Sequence, residues 1–323
     1  MQWLALTWFD HRRTTELCEG LGIELRSVTT RRRGLLRYLE LTLRTLPILA
    51  RARPKVLLVQ NPSLILAVLT ALVRPLFGYR LVVDAHNEAV EPYINSSRLV
   101  LGFTRWVLRR ADLTIVTNRY LAQTVVAAGG TPFVLPDRIP RPLQHERKQL
   151  AGSFRLLLIA TFAPDEPLDA VIEAVRDTPY ALYVTGNHKK APPQLLAQAP
   201  ANVTFTGFLS EADYWAHLAG CDAVVDLTTM PNCLVCGGYE AAALSKPLLL
   251  THSPAAVDLF GDAAVFTDNS VADIRRAFEQ LRANASDLAA RMQKRHHELN
   301  REWRTSADSL GAALSAPVVA SQV

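Results

Sequence analysis

Residues 155–175 have the sequence RLLLIATFAPDEPLDAVIEAV. The apolar run at 155–160 predicts a strand that is buried on both faces, and the spacing of apolar residues over 168–176 predicts a helix. A buried strand followed by a helix is the repeating unit of a parallel α/β sheet. We therefore predict that this stretch forms one strand of such a sheet and one helix that covers it.

The same alternation extends to both sides of this stretch. Towards the C-terminus it predicts strands that alternate with helices and a long final helix over 271–303. Towards the N-terminus it predicts a second series of strands and helices. The predicted strands are 3–8, 23–28, 55–60, 80–84, 113–117, 133–136, 155–160, 181–185, 203–206, 223–226, 247–251 and 264–266. The chain is therefore predicted to be α/β with two Rossmann-like domains.

The domain boundaries follow from composition. We predict domains at 1–140 and 153–308, a linker rich in proline and charge at 141–152, and a flexible tail at 309–323. A cleft between two such domains is the default position for a ligand site.

The overall composition excludes several classes of protein. The chain has 323 residues, of which 49% are hydrophobic and 20% charged, which excludes a disordered or collagen-like protein. Four cysteines are too few for a disulfide framework, although Cys233 and Cys236 leave a zinc or redox site open as the less favoured alternative. The apolar stretch 63–73 is shorter than the roughly 20 residues that span a membrane. We predict a cytoplasmic protein, peripheral on the inner face of the membrane.

Positive charge is concentrated in the first half. Residues 1–140 contain 19 Lys and Arg against 10 Asp and Glu. The segment 31–53 combines arginines with leucines at helical spacing, which is typical of a helix bound to an anionic membrane surface. Two alternatives remain: nucleic-acid binding, which no base-reading motif supports, and a helix whose leucines face the core while its arginines face solvent. We predict a membrane partner and no nucleic acid.

Polar residues cluster where strands of the first half end. The strand at 80–84 runs into Asp84-Ala85-His86-Asn87-Glu88, a density of ionisable groups suited to acid–base chemistry. The alternative is a capping cluster for the following helix. The predicted catalytic residues are His86 or Glu88, with Asp10 or His11 in reserve.

Strand ends of the second half carry residues suited to a nucleoside diphosphate. Gly186 permits close backbone approach, Lys189 is a cationic donor, and Gly237-Gly238 place N–H groups at a helix start. Glu240 has the chemistry to accept ribose hydroxyls, or alternatively it only compensates the helix dipole. Neither a G-x-G-x-x-G nor a P-loop motif is present, which argues against a dinucleotide oxidoreductase or a P-loop NTPase.

Four motifs in order resemble the donor domain of GT-B glycosyltransferases. They are TFAPDEPLDAVIEAV (161–175), YVTGNHKK (183–190), TGFLSEADY (206–214) and GGYEAAALSKP (237–247), and DAHN (84–87) in the first half is similar to the D-W-H-N of the same proteins. The set resembles glycosyltransferase family 4 and chitobiosyl-diphosphodolichol β-mannosyltransferase-like enzymes. The resemblance implies a GT-B fold, with two domains facing a central cleft and the C-terminal helix packing back toward the N-terminal domain.

The resemblance also implies a donor site. The residues it assigns to a UDP- or GDP-linked sugar, together with those named above, are Thr161, Asp165, Gly186, Asn187, His188, Lys189, Phe208, Leu209, Asn232, Gly237, Gly238, Tyr239 and Glu240. No cofactor and no metal are expected. Three features depart from family 4: Asn232 replaces the first Glu of an E-x7-E pair, Asp165-Glu166 stand where cations are usual, and the loop 7–12 lacks a glycine-rich turn. The mannosyltransferase resemblance implies inversion at the anomeric carbon.

The predicted function is transfer of a sugar from a nucleotide-sugar to a lipid-diphosphate-linked saccharide at the membrane surface, in glycan or exopolysaccharide assembly. Two alternatives remain open. A GT-B nucleotide-sugar 2-epimerase would share the fold without needing an arginine-rich membrane face. A non-catalytic GT-B subunit would account for the departures from the family pattern.

Overall fold

The structure is a computed structural model, which describes residues 3–61, 63–85, 87–91, 97–144 and 146–315, except the side chain of residue 88. In these ranges the chain forms two six-stranded sheets. The strands are β1 (Trp3–Thr7), β2 (Glu24–Ser27), β3 (Val56–Asn61), β4 (Arg80–Ala85), β5 (Leu113–Val116), β6 (Pro132–Val134), β7 (Phe154–Leu158), β8 (Tyr180–Thr185), β9 (Val203–Gly207), β10 (Ala223–Asp226), β11 (Leu248–Thr251) and β12 (Val265–Thr267).

Helices connect the strands. The α-helices are α1 (Arg12–Leu21), α2 (Gly34–Ala52), α3 (Leu64–Phe77), α4 (Asn87–Val90), α5 (Arg98–Arg110), α6 (Arg119–Ala127), α7 (Leu168–Ala174), α8 (Pro193–Ala197), α9 (Glu211–Gly220), α10 (Cys236–Ala243), α11 (Pro254–Phe260), α12 (Val271–Ala283) and α13 (Ala285–Ser315). Short 3-10 turns lie at His188–Lys190 and Gly261–Ala263. None of the described helices is long and apolar enough to cross a membrane.

The chain divides into two compact units. The first comprises residues 1–138 and 301–323, and the second comprises residues 139–300. The boundary lies near the linker predicted at 141–152, but the residues after 138 belong to the second unit, where buried Ile139 joins a hydrophobic cluster. Residues 301–315 belong to the first unit, which the predicted division at 140 did not include.

The first unit is a parallel sheet in the order β2-β1-β3-β4-β5-β6. Its central strand β3, VLLVQN, is buried along its whole length, as a strand covered on both faces must be. Helices α2, α3, α5 and α6 contribute to the cluster on one face. Helix α1 and the end of α13 contribute to the cluster on the other.

The second unit is a parallel sheet in the order β12-β11-β10-β7-β8-β9. Leu156, Leu158, Val184 and Val225 lie in one hydrophobic cluster, and Leu157 with Val224 in another, as alternation along each strand requires. In both units every strand pairs in parallel, so all strands of a sheet end at one edge. This arrangement confirms the α/β fold predicted from the sequence.

The end of the chain differs from the sequence prediction. The single helix predicted over 271–303 is interrupted at Asn284, which ends α12. Helix α13 then continues through Ser315, where Leu310 and Leu314 are buried beside Leu17 in the first unit. The prediction of a flexible tail from residue 309 is therefore wrong for 309–315, because these residues complete a hydrophobic cluster.

Candidate functional site

The loop after β7 is organised by the carboxylate of Glu166. It accepts hydrogen bonds from the backbone N–H groups of Thr161 (2.9 and 3.0 Å), Phe162 (2.8 Å) and Ala163 (3.3 Å), and from the Thr161 hydroxyl (2.6 Å). Phe162 has a φ of 60°, in the left-handed region. Successive N–H groups that converge in this way form an anion-binding nest, and here the anion is the chain's own carboxylate.

The neighbouring carboxylate, Asp165, joins this loop to the loop after β10. Its Oδ2 accepts a 2.6 Å hydrogen bond from the Thr228 hydroxyl, and its backbone carbonyl accepts a 2.7 Å bond from the Thr229 N–H. The sequence pattern predicts contact with the nucleotide for both Asp165 and Thr161. In the structure both side chains are engaged in holding loops, which gives each of them a positioning role.

The end of β8 places two lysines on the surface. Gly186 has a φ of 95°, and a Cβ there would lie 2.0 Å from the Ala160 carbonyl oxygen, so glycine is required by the neighbouring chain as well as by the turn. Asn187 caps the 3-10 turn His188–Lys190 by accepting the Lys189 N–H at 3.3 Å. Lys189 and Lys190 are exposed and form no ion pair within the described residues.

The loop after β9 is open to solvent. Phe208 is 86% exposed, whereas the adjacent Leu209 is half-buried. The ring of His188 lies 6.1 Å from the Phe205 ring, which orients the His188 side chain beside β9. The predicted donor residues His188, Lys189 and Phe208 therefore remain accessible at the C-terminal edge of this sheet.

The start of α10 corrects two of the predictions. The Gly237 N–H donates a 2.8 Å hydrogen bond to Asp226 Oδ2, and the Gly238 N–H bonds to the Val235 carbonyl at 3.3 Å. A Cβ at Gly237 would lie 2.4 Å from Asp226 Oδ2, and one at Gly238 would lie 2.9 Å from the Phe260 ring. Both glycines are thus explained by internal packing, and their N–H groups are bonded within the chain rather than left for a phosphate.

Two further predictions near α10 also change. Tyr239 is 2% exposed and its ring packs on Phe260, so it belongs to the hydrophobic core and not to a ligand surface. Asn232 has a φ of 53° and lies in the turn before α10, so its left-handed backbone conformation explains an asparagine there.

Two acidic residues are buried close to each other in the second unit, Glu240 within α10 and Asp226 at the end of β10. Glu240 is 7% exposed, and the Tyr214 hydroxyl donates a hydrogen bond to its Oε2. Burial, followed by the charge of Glu240, raises the pKa of Tyr214 well above its ordinary value. Burial likewise raises the pKa of Asp226 well above its ordinary value, against the opposing hydrogen bond from Gly237. Asp226 was missed from the sequence, although it ends a strand in the same way as Asp84.

The first unit contains a buried ion pair at the ends of its strands. Arg13 Nη2 lies 2.8 Å from Asp84 Oδ1, and Arg13 Nε lies 3.1 Å from the same oxygen. Arg13 also forms an ion pair with Asp137. Because Asp84 is fully buried, this carboxylate neutralises Arg13 and does not face a ligand.

The predicted catalytic residues differ in what the structure says of them. His86 and the side chain of Glu88 lie outside the described residues. Asp10 is exposed and accepts a 2.7 Å hydrogen bond from Ser27 Oγ. His11 is half-buried at the start of α1, and burial lowers its pKa, opposed by the charge of Asp84 and reinforced by that of Arg13. A neutral imidazole at this strand end is able to accept a proton.

Helix α2 presents leucines to solvent. Its buried positions are Leu41, Thr45 and Leu49. Five leucines of this helix are spaced as if they formed one face. The alternative in which that face packs on the core is wrong for four of them, because their side chains are more than half exposed, whereas the fifth, Leu46, is half-buried. The exposed four are Leu35, Leu36, Leu39 and Leu43.

Arginines surround these leucines. Arg31 and Arg33 are exposed, and Arg32 and Arg44 share the carboxylate of Glu40 at 3.0 and 2.6 Å. We call the surface formed by Arg31–Arg33 and the four exposed leucines the α2 face.

Among the described residues, no group of three or more His, Cys, Asp or Glu side chains is placed to hold a metal ion. Cys233 is half-buried and Cys236 is exposed, and neither forms a disulfide.

Comparison with known proteins supports the fold-based interpretation. Residues 4–141 match the family described as Glycosyl transferase 4-like domain. No curated protein sequence matches the chain. Among solved structures, Anabaena Alr3699/HepE in complex with UDP and glucose has a TM-score of 0.76 at 16% identity, over 98% of this chain and 100% of that one.

Two further solved structures share the fold along almost the whole chain. Sucrose-phosphate synthase from Thermosynechococcus elongatus has a TM-score of 0.76 at 14% identity, over 97% of this chain and 98% of that one. A glycosyltransferase from Rickettsia africae has a TM-score of 0.69 at 9% identity, over 97% of each chain. Residues 4–141 are therefore similar to a glycosyl transferase 4-like domain, and the chain as a whole shares the GT-B fold.

Proposed function

We propose that this chain transfers a sugar from a UDP- or GDP-linked donor to a lipid-diphosphate-linked saccharide at the cytoplasmic face of a membrane, in glycan or exopolysaccharide assembly. The observation that carries the proposal is the α2 face, which exposes four leucines beside a run of arginines in a chain with the GT-B fold. Single exposed leucines are common on protein surfaces, but a cluster of leucines flanked by arginines is typical of contact with an anionic bilayer.

The donor side of the proposal rests on the second unit. Anabaena HepE was solved with UDP-glucose, which supports uridine nucleotides as the first donors to test. Lys189 and Lys190 are exposed cations that suit a diphosphate, and His188 lies beside them. Glu240, held by the Tyr214 hydroxyl, is the carboxylate that we assign to the ribose hydroxyls.

The chemistry requires a base and a stabilised leaving group. The acceptor hydroxyl attacks the anomeric carbon and loses its proton to a base, while the bond from that carbon to the nucleoside diphosphate breaks. Of the described candidates, His11 suits the base because its lowered pKa keeps it neutral near pH 7. His86 and Glu88 remain predicted alternatives. With lysines to neutralise the leaving diphosphate, we propose metal-independent transfer with inversion.

The test is a transfer assay with purified full-length chain. Radiolabelled UDP- and GDP-sugars are offered with a synthetic lipid-diphosphate disaccharide in anionic vesicles, with and without EDTA, and the anomeric configuration of the product is read by NMR. The proposal expects label in the lipid fraction, retained in EDTA. Label found only in an epimerised free nucleotide-sugar would assign the chain to the 2-epimerase class instead. Donor binding without any turnover would favour a non-catalytic subunit.

A further inference from the structure

A groove on the first unit shares no lining residue with the α2 face. It runs between α3 and α5 and has a volume of about 500 Å³, within the range of roughly 300–1,000 Å³ that small-molecule pockets occupy. Its apolar lining consists of Val68 and Leu72 from α3 and Leu99, Phe103 and Trp106 from α5. Leu72, Leu99 and Phe103 are each at least half exposed, although core packing would bury such side chains.

The charged residues that line this groove are both arginines. Helices α3 and α5 contain no acidic residue, and the groove is also lined by Arg98 and Arg109. Neither arginine forms an ion pair in the part of the chain that the structure describes, whereas Arg74 on α3 is paired with Asp112 at 2.7 Å. An apolar groove with two unshared guanidinium groups is complementary to a hydrocarbon chain that carries a phosphate.

The groove has a defined direction relative to the sheet. Helices α3 and α5 each follow a parallel strand and run back against it, so their first residues lie at the edge where the strands end. Arg98 is the first residue of α5, and Leu72 and Arg109 lie further along the helices. A chain in the groove therefore has one end at the strand-end edge, where His11 also lies.

We propose that the α3–α5 groove binds the hydrocarbon chain of the lipid-diphosphate acceptor, with the phosphate at Arg98 and the tail directed toward Arg109. The inference rests on the proposed function, because it names the part of the acceptor that this surface takes. It assigns the α2 face to the bilayer and the groove to a single lipid chain. Phe103 and Leu99 then select acceptors by chain length, and Arg98 fixes which end of the lipid faces the strand ends.

Direct binding is tested with a probe that does not depend on transfer. An alkyl phosphate brominated in mid-chain is titrated below its micelle concentration, and quenching of tryptophan fluorescence is measured. Trp106 lines the groove, so Trp106→Phe should abolish most of the quenching. Phe103→Ser should raise the dissociation constant about tenfold, through lost apolar contact. Val126→Ser, an exposed position on α6, is the matched control and should leave it unaltered.

The arginines test the orientation. Arg98→Gln should weaken the alkyl phosphate more than Arg109→Gln does, and the matching alkyl alcohol should bind weakly to every variant. If quenching persists in Trp106→Phe, or if Phe103→Ser leaves the dissociation constant of the alkyl phosphate unaltered, the proposal that the groove binds the hydrocarbon chain is wrong. If Arg109→Gln weakens alkyl phosphate binding more than Arg98→Gln does, the proposed direction of the lipid in the groove is wrong. A wild-type dimer that Phe103→Ser converts to monomer would identify the groove as a contact between copies.

Transfer then links the groove to the acceptor. Acceptors with one headgroup and either a short or a long hydrocarbon chain are compared by kcat/KM. The preference for the long chain should fall about tenfold in Phe103→Ser. If the wild type glycosylates lipid diphosphates with no dependence on chain length, the groove assignment fails while the proposed function stands. If no lipid diphosphate is glycosylated, the proposed function fails, and the fluorescence titration still decides whether the groove binds lipid.

Discussion

The backbone N–H of Gly237 donates a 2.8 Å hydrogen bond to the buried carboxyl of Asp226, and no side chain fits between them. This contact joins the end of β10 to the start of α10, the helix that carries Glu240. The position of Glu240 therefore depends on a residue that has no side chain and on a carboxyl that the sequence pattern did not single out.

Gly237→Ala should destabilise the chain. Its Cβ would lie 2.4 Å from both Asp226 Oδ2 and Ile159 Cδ1, so α10 has to shift, at a cost of about 1–3 kcal/mol in the free energy of unfolding. The control is Gly311→Ala, within α13, where a Cβ meets no atom within 4 Å and should stabilise the helix by about 0.5–1 kcal/mol. Urea unfolding followed by circular dichroism measures both, and equal effects would contradict the packing explanation.

Asp226→Asn should change how stability depends on pH. Burial raises the pKa of Asp226 well above its unfolded value, which is about 4. Its contribution to stability is therefore complete below that value and is lost as the pH rises through the folded pKa. Asparagine does not titrate, so the variant should gain stability relative to the wild type between about pH 5 and about pH 8.

Asp222→Asn is the control, because the pKa of Asp222 is shifted in the opposite direction to that of Asp226. Burial raises the pKa of Asp222, but hydrogen bonds from Arg155 outweigh burial and leave it below its ordinary value. Its contribution is lost only as the pH falls through the folded pKa, below about 4, so this variant should show a constant difference from wild type between about pH 5 and about pH 8. Parallel trends for the two variants would refute the assignment for Asp226.

His11→Gln should slow transfer without loosening the donor. Removal of a general base costs about 10²–10⁴-fold in kcat, whereas nucleotide affinity depends on the second unit. Because the pKa of His11 is lowered, the wild-type rate should hold its plateau below the usual pKa of histidine, near 6.5, and then fall as the imidazole is protonated. Asp10→Asn is the control on the same loop, and a larger loss there would move the base to Asp10.

Glu240→Gln should weaken nucleotide binding. A hydrogen bond to a charged group contributes about 1.5–3 kcal/mol, and glutamine keeps the size and the contact with the Tyr214 hydroxyl. Calorimetric titration with UDP and GDP measures the loss, and Glu211→Gln, an exposed position on α9, is the control. An unaltered affinity in a folded Glu240→Gln protein would show that this carboxylate serves the fold and not the ribose.

Substitutions on the α2 face should release the chain from anionic vesicles. Leu35→Ser and Leu39→Ser remove apolar contact, and neutralising Arg31 and Arg33 removes about 1 kcal/mol each at low salt. Co-sedimentation across a salt series measures the effect, with Val126→Ser as the control on α6. If neither salt nor any of the four substitutions alters vesicle binding, the α2 face does not contact the bilayer, and its arginines are ordinary solvated charges.

The sequence predicted the strands well and their surroundings less well. Apolar runs such as LLLIA (156–160) identify buried parallel strands because each strand is enclosed on both faces. Helix α2 was harder, since leucines at helical spacing are equally consistent with a core face and an exposed one, and only packing against the sheet shows that Leu41 and Leu49 are the inner residues.

The structure shows where the predicted donor residues lie in the fold, whereas their role in donor binding stays a prediction. His188 and Lys189 were predicted as donor residues because they follow a strand, and Glu240 because it lies in the helix after the next strand but one, since parallel strands end at one edge of the sheet. The tasks of Gly237 and Gly238 depend on Asp226 and Phe260, which lie 11 and 22 residues away in the chain. No local sequence pattern shows such a contact. A glycine whose N–H binds a phosphate therefore cannot be distinguished in the sequence from a glycine that is required by close packing against a neighbouring side chain.

Helix α13 has a consequence for synthesis. Trp303, Ala307, Leu310 and Leu314 complete the first unit, and Gly20 has no side chain because the Trp303 ring occupies that space. When residue 138 has been synthesised, one face of the first sheet therefore still lacks part of its packing. Leu17 and the apolar residues around it stay exposed until residues 301–315 leave the ribosome. The second unit is synthesised in that interval, so a nascent chain stalled before residue 301 should depend on chaperones in a way that the finished chain does not.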